Sequence, residues 1–190
     1  MLGPEEVIAF WLDEVGPDGW YAGGEELDAR IRERFEALWK KARAGGLHDW
    51  LTSPRGMLAY LILTDQFPRN MFRGEARAFA TDTMARAEAK LAIDHGFDKK
   101  VPEPERQFFY LPLMHSECLT DQDRCVRLML TRMPETGAEN LLHAKAHREV
   151  IRRFGRFPYR NEALSRGFSE GEREFVREGG YGRTLEKLRA

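Results

Sequence analysis

Apolar side chains recur along most of the chain at the three-and-four-residue spacing of an α-helix. Between Glu25 and Ala44, apolar positions fall on one face, and arginine and glutamate side chains occupy the other. The segment from Arg55 to Gln66 is apolar nearly all round, which predicts a central, buried helix. No stretch shows the period-two alternation of a half-buried strand. The pattern predicts an all-α protein of about seven to nine helices joined by short loops.

Short loops between helices of this length favour antiparallel helix pairs that stack on one another. The chain has 190 residues, enough for a sizeable core, so we expect a single all-helical domain over residues 1–190. One proline interrupts this regular pattern. Pro112 lies within a segment predicted to be helical from Pro104 to about Glu117, where a proline should kink the helix.

One short phrase occurs twice, each time at the end of a predicted helix. Phe67–Asn70 reads Phe-Pro-Arg-Asn, and Phe157–Asn161 reads Phe-Pro-Tyr-Arg-Asn. Proline cannot continue a helix and biases the residue before it away from helical angles, so both helices are expected to end at or near the phenylalanine. Each phrase then places arginine and asparagine on a rigid turn, where binding sites are often built. We call the two phrases the first and second corner.

The two corners supply most of a candidate anion-binding site. Guanidinium groups are planar forks suited to carboxylate or phosphate. In the alternative interpretation, carboxylates of the chain pair with these arginines, which then only hold the helix ends. A histidine nearby can donate to a bound oxyanion or carry a proton. The candidate ligand-binding residues are Asp65, Arg69, Asn70, His115, Glu117, His147, Arg156, Arg160 and Asn161.

Composition narrows the classes of partner. Lys+Arg 30 against Asp+Glu 31 leaves a net charge of -1, which gives no reason to expect nucleic acid or an anionic membrane as partner. No apolar run reaches the ~18 residues of a membrane span. Cys118 and Cys125 match no metal or redox spacing, so reduced thiols in the cytoplasm are expected. His143 and His147 stand at i, i+4 but lack a third ligand, and no metal or cofactor is predicted.

Four phrases follow one another in an order that resembles a bacterial family. They are Leu63–Asn70, Ala78–Asp82, Phe109–Glu117 with Asp121 and Gln122, and Phe154–Asn161. This order resembles the family called domain of unknown function 924, and the likeness covers almost the whole chain. The resemblance implies an all-helical fold like the tetratricopeptide-repeat superhelix, and it brings no assigned activity. Tyr159 stands where the family pattern often has histidine, so a mechanism that needs a histidine there is not expected.

The sequence therefore predicts a cytoplasmic protein whose polar concave site binds a small anionic metabolite or a carboxylate-bearing peptide end. A second hypothesis is a hydrolase or transferase in which His115 or His147 acts with Glu117. A third is a protein-interaction scaffold in which the corner arginines are structural. A ligand site should leave arginine forks unpaired by carboxylates of the chain, whereas a scaffold should satisfy them internally. The sequence does not decide between an enzyme and a binding protein, and it predicts no oligomeric state.

Overall fold

The computed structural model describes residues 2–189, and their regular structure is helical. No residue in this range lies in a β-strand, so the prediction of an all-α fold is confirmed. The chain divides into two compact units, Met1–Pro112 and Leu113–Ala190. The single domain, the antiparallel stack and the tetratricopeptide-like superhelix stay predictions.

The helices are of three kinds. The α-helices are α1 Pro4–Ile8, α2 Gly16–Gly19, α3 Glu25–Arg43, α4 Pro54–Leu61, α5 Phe67–Met71, α6 Asp82–Asp94, α7 Leu111–Met114, α8 Leu119–Arg132, α9 Ala138–Phe154, α10 Glu170–Arg177 and α11 Gly180–Arg189. The π-helical segments Ala9–Val15 and Ile62–Gln66 continue α1 and α4. The 3-10 segments are His48–Thr52, Ala76–Phe79, Asp98–Lys100, Glu105–Phe109 and Pro158–Arg160. In the part of the chain that is described, no helix has both the length and the apolar content of a membrane span.

Aromatic rings fill the core of the first unit. The ring centroids of Phe10, Phe35 and Phe67 lie 4.9 to 6.0 Å apart. Trp11 packs against Phe67 at 5.4 Å and against Phe108 at 6.4 Å. All five side chains are buried. Each such ring pair contributes about 0.5–1.5 kcal/mol beyond the area that it buries, so this cluster fixes how α3 and α5 pack.

The first corner does not end its helix, and the expectation that it would is wrong. α4 passes through the π-helical segment Ile62–Gln66 into α5, of which Pro68 is the second residue. Because proline has no N–H, it cannot bind the Thr64 carbonyl, the acceptor four residues earlier in an α-helical ladder. The Thr81 hydroxyl donates to this carbonyl at 2.5 Å and accepts from the indole N–H of Trp39 at 3.1 Å. Side chains therefore replace the bond that the proline removes.

Pro112 begins a helix instead of kinking one. The long helix expected from Pro104 to about Glu117 is wrong, because the structure has a 3-10 segment, Glu105–Phe109, followed by the separate helix α7. Pro112 is the second residue of α7. The N–H groups of the first helical turn have no intrahelical partner, so a proline at this position removes no bond.

An apolar cluster forms the core of the second unit, in which α9 packs against α8 and α11. Val150, Ile151, Phe157 and Phe175 are its buried members. The ring of Phe154 lies 4.9 Å from that of Phe175. The cluster therefore joins the last turn of α9 to the second corner and to α10.

Gly155, and not the Phe-Pro pair, ends α9. The helix ends at Phe154, and Gly155 follows with a φ of 69° and donates its N–H to the Ile151 carbonyl at 2.8 Å. Glycine adopts this left-handed conformation without the steric penalty of a β-carbon. The proline of the corner then begins the 3-10 segment Pro158–Arg160. α9 therefore ends three residues before Phe157, close to the phenylalanine as expected, and Gly155 sets that end.

We expect Gly155→Ala to lower the free energy of unfolding by about 1–2 kcal/mol, the cost of a β-carbon in the left-handed conformation. Among the described residues no atom lies within 4 Å of the added carbon, so a clash would not be the cause. Urea unfolding followed by circular dichroism measures the change. Gly171→Ala, within α10 and equally open, is the matched control and should raise stability by about 0.5–1 kcal/mol. Equal effects of the two substitutions would contradict the role of Gly155.

Candidate functional site

The first corner brings Asp65 and Arg69 together within the first unit. Asp65 is 2% exposed, and Nη1 of Arg69 lies 3.3 Å from its Oδ1 and also donates to its main-chain carbonyl. The other terminal nitrogen of Arg69 donates to Oδ2 of Asp82 at 3.0 Å. The guanidinium carbon lies 5.8 Å from the centroid of the Phe79 ring. Two carboxylates and an aromatic face therefore surround Arg69, which fits the structural interpretation.

Asn70 lines an open cleft of about 810 Å³ in the same unit. Its amide nitrogen donates to Oδ1 of Asp28 at 2.8 Å, and Arg73 binds both oxygens of that carboxylate at 2.9 and 3.1 Å. The lining residues are Gly24, Glu25, Asp28, Ala29, Arg32, Glu33, Asn70, Met71 and Arg73. Carboxylates outnumber guanidinium groups in this lining, so the cleft does not favour an anion.

Arg156, beside the second corner, is bound to Glu172. Its Nε and Nη2 donate to the two Glu172 oxygens at 2.6 and 2.8 Å, and Nη2 also donates to the Gly167 carbonyl at 2.8 Å. Glu172 completes the capping box of α10 by accepting from the Ser169 N–H at 2.7 Å. The hydrogen bond from Arg156, supported by Ser169, lowers the pKa of Glu172 to about 2 against the effect of burial. The contacts of Arg156 therefore also fit the structural interpretation.

Glu117 is hydrogen-bonded to the second corner. Its carboxylate accepts from Nη1 and Nη2 of Arg166 at 2.7 and 3.0 Å, and from the main-chain N–H of Phe157 at 2.8 Å. Nη2 of Arg166 also donates to the Phe157 carbonyl at 3.1 Å. Burial would raise the pKa of Glu117, but the bonds from Arg166 and Phe157 outweigh it, and the pKa is lowered. Glu117 is thus an ionised group that fixes the corner.

His147 is held as a neutral imidazole. Its Nδ1 lies 2.9 Å from the main-chain carbonyl of His143, and because a carbonyl only accepts, we assign the proton to Nδ1 and a lone pair to Nε2. Part of the side chain stays exposed, but burial of the ring, and then the neighbouring His115 and Arg160, lower its pKa to about 3. Such a histidine is a poor proton acceptor at neutral pH. Its Nε2 can still accept a hydrogen bond.

Aromatic rings surround His147. The ring centroids of His115, Tyr181 and Phe157 lie 6.3, 4.7 and 5.4 Å from that of His147. Tyr159 stacks on Phe157 at 5.3 Å. We call this group the histidine cluster, and its members are His115, His143, His147, Phe157, Tyr159 and Tyr181.

Arg160 is the corner arginine that reaches the histidine cluster. It is 6% exposed, and its guanidinium carbon lies 4.5 Å from the centroid of the Phe157 ring. Its positive charge contributes to the lowered pKa of both His147 and Glu117, so it acts on both electrostatically. Arg160 therefore places a buried guanidinium group against the histidine cluster, which itself holds a neutral imidazole and several aromatic faces.

Asn161 is fully buried next to the Arg156–Glu172 pair. Its main-chain carbonyl accepts from the N–H of Arg166 at 2.8 Å. Its side-chain amide lies beside Glu172 and helps to lower the pKa of that carboxyl. Among the described residues, neither the nitrogen nor the oxygen of this amide has a partner with the geometry of a hydrogen bond. Asn161 therefore belongs to the packed interior of the corner.

The main chain on both sides of His115 is held by Gln122, at the start of α8. The Gln122 amide nitrogen donates to the carbonyls of Met114 and Ser116 at 2.6 and 2.7 Å. The Ser116 hydroxyl donates to Oδ2 of Asp121 at 2.8 Å. Gln122, Ser116 and Asp121 are buried. The first turn of α8 therefore sets the position of His115 in the cluster.

The structure divides the predicted site residues between the two units. The first unit holds Asp65, Arg69 and Asn70, and the second holds His115, Glu117, His147, Arg156, Arg160 and Asn161. Sequence reasoning missed Arg166, Gln122 and Tyr181, which complete the contacts in the second unit. Of these, only Tyr181 had a local signal, an aromatic residue directly after a glycine pair. In residues 2–189 no group of three or more histidine, cysteine, aspartate or glutamate side chains is arranged to hold a metal ion.

We expect the Arg156–Glu172 pair to stabilise the fold at neutral pH and to be lost in acid. The pKa of Glu172 is lowered from 4.5 to about 2, so its contribution is complete above 4.5 and disappears as the pH falls towards 2. Glu172→Gln should therefore be less stable than wild type at pH 7, with a difference that shrinks in acid. Urea unfolding across this range measures it. Glu170→Gln, an exposed position in the same turn, is the control, and it should lower stability at pH 7 less than Glu172→Gln does. Parallel curves for Glu172→Gln and wild type would contradict the expectation.

Comparison with solved structures supports the helical fold. The chain is similar to the protein of unknown function ATU0120 from Agrobacterium tumefaciens, with 39% sequence identity and a TM-score of 0.86. The match covers 92% of this chain and 97% of that chain. A comparison with curated proteins finds no match.

A sequence model of one family also matches the chain. It is described as "Bacterial protein of unknown function (DUF924)", and the match spans residues 7–180. This range contains both corners and the residues of the histidine cluster up to Tyr159. The chain belongs to the bacterial DUF924 family, as the order of its four phrases had indicated.

Proposed function

We propose that the second unit binds a small carboxylate at the histidine cluster, with Arg160 as its positive partner. The observation that carries the proposal is the buried Arg160 guanidinium packed on Phe157 close to the neutral imidazole of His147. A guanidinium group matches the planar fork of a carboxylate, and the interaction is stronger where water is excluded. A small anionic metabolite and the carboxylate end of a peptide share this chemistry.

In this proposal His147 accepts a hydrogen bond from the ligand. Its Nδ1–H donates to the His143 carbonyl, which leaves the Nε2 lone pair to accept a hydrogen bond. A hydroxyl or ammonium group on the ligand supplies the matching donor. His115 lies in the same cluster with its main chain held by Gln122, so it presents a second imidazole at a fixed place.

The contacts disfavour the enzyme hypothesis, and they favour the scaffold hypothesis for two of the arginines. A hydrolase or transferase would use Glu117 or His147 to carry a proton, but Glu117 is an ion-paired carboxylate and His147 has a pKa of about 3. The scaffold hypothesis suits Arg69 and Arg156, each bound to carboxylates of the chain. We therefore assign structural roles to these two arginines. Ligand binding is assigned to Arg160 because it is buried against Phe157 and acts electrostatically on the neutral imidazole of His147.

A cytoplasmic location is part of the same proposal. Cys118 is an exposed free thiol and Cys125 a buried one. Free thiols are the usual state in a reducing compartment, whereas exported proteins tend to pair them. In this proposal the ligand is a carboxylate-bearing molecule that occurs in the cytoplasm.

Arg160→Gln should remove the response of the protein to carboxylates. Wild type is titrated with acetate, benzoate and inorganic phosphate while its thermal unfolding is followed. A ligand at 100 times its dissociation constant adds about 2.7 kcal/mol to stability. In the variant this gain should disappear, because glutamine keeps a polar side chain but supplies no positive charge.

Arg152→Gln is the matched control, since it removes the same charge from an exposed position on α9. Arg69→Gln and Arg156→Gln form a second pair of controls. Both should lower stability through the loss of charged hydrogen bonds, Arg69→Gln by roughly 1–3 kcal/mol, yet keep the gain from carboxylate. The proposal is contradicted if wild type responds to none of the three anions, or if Arg160→Gln responds as wild type does.

A further inference from the structure

The last helix, α11, is joined to the rest of the second unit by two consecutive glycines with positive φ. Gly179 has a φ of 100° and Gly180 a φ of 52°. α11 packs along α9, but over Gly180–Arg189 it contains no buried residue. A helix that has no fully buried residue and follows two glycines can leave its neighbour more readily than a core helix can.

Tyr181, the second residue of α11, occupies part of the histidine cluster. Its ring centroid lies 4.7 Å from that of His147 and 5.9 Å from that of His143, with 21° between the planes of the latter pair. Its hydroxyl is hydrogen-bonded to Nδ1 of His143. The Tyr159 ring lies 6.2 Å away. Tyr181 therefore contacts the imidazole that the proposed ligand would contact.

The other end of α11 is held by charge. Arg189 donates to Oε1 of Glu139, which also lies 3.5 Å from Nε2 of His143. The Arg189 and Glu139 side chains are 54% and 57% exposed. Ion pairs at such exposure add little to stability. The ring contacts and hydrogen bond of Tyr181 near its start, and an exposed ion pair at its end, therefore join α11 to α9.

We propose that α11 is a lid over the histidine cluster and that Tyr181 competes with the ligand for its place there. This inference rests on the proposed function, and it specifies the ligand class. A carboxylate carried on a planar aromatic ring can bind Arg160 and replace the Tyr181 phenol against His143 and His147. Only molecules with an open lid bind the ligand. The apparent affinity is therefore the affinity of the open form multiplied by the fraction of molecules that are open.

Tyr181→Ala should therefore bind benzoate more tightly than wild type does. If about one molecule in ten is open in wild type, the dissociation constant should fall about tenfold. Isothermal titration calorimetry of the full chain measures it. Benzoate should bind Tyr181→Ala more tightly than acetate does, because acetate has no ring to replace the phenol. Tyr181→Phe keeps the ring but loses the bond to His143, so its gain should be smaller.

Leu188→Ala is the matched control, since Leu188 is a 41% exposed side chain of the same helix and should keep wild-type affinity. Unchanged or weaker binding of benzoate by Tyr181→Ala would overturn the lid but leave the proposed function standing. Absence of acetate and benzoate binding in wild type and every variant would overturn both.

Hydrogen exchange of wild type tests the lid without any substitution. Benzoate should speed the exchange of the α11 amides, since the bound ligand displaces Tyr181, while amides of α8 are unchanged or slowed. Slower or unchanged exchange in α11 while benzoate is bound would overturn the lid.

Discussion

Main-chain groups that leave a helical hydrogen-bond ladder need other partners when they are buried, and both units depend on side chains that supply those partners. Thr81 donates to the Thr64 carbonyl, which Pro68 cannot bind, and Gln122 binds the carbonyls on both sides of His115. Each is a buried polar side chain from another segment. Polar residues that suggest chemistry in the sequence therefore serve, in part, to keep irregular helix ends in place.

The fold class was predictable because helical periodicity needs only local information. α3 was expected from Glu25 to Ala44 and runs Glu25–Arg43. Local information fails at the prolines. The rule that proline ends or kinks a helix applies equally to Pro68 and Pro112, yet both stand near the start of a helix. At Pro68 the helix continues because a distant side chain donates in place of the proline, and at Pro112 the helix begins one residue earlier, so no bond is lost. Periodicity contains nothing about either.

The candidate site was predictable as a set of residues but not as a set of contacts. Arg69, Arg156 and Arg160 have similar surroundings in the sequence and different ones in space. Arg69 and Arg156 meet carboxylates that lie 13 and 16 positions further along the chain. Arg160 packs on the ring of Phe157, which precedes it in the same corner. An arginine near a Phe-Pro pair indicates a charged helix end. It does not say which carboxylate or ring the guanidinium will meet.

The pairing of Glu117 with the second corner has a consequence for folding kinetics. Glu117 is separated by 40 positions from Phe157 and by 49 from Arg166, so these bonds close a long loop of chain. The entropy of that closure must be lost before the bonds form, whereas helices such as α9 form from local contacts. The corner is therefore expected to assemble late in folding, and interactions that form late chiefly set the rate of unfolding. Glu117 and Arg166 then govern how long Arg160 and His147 stay assembled, more than how quickly they come together.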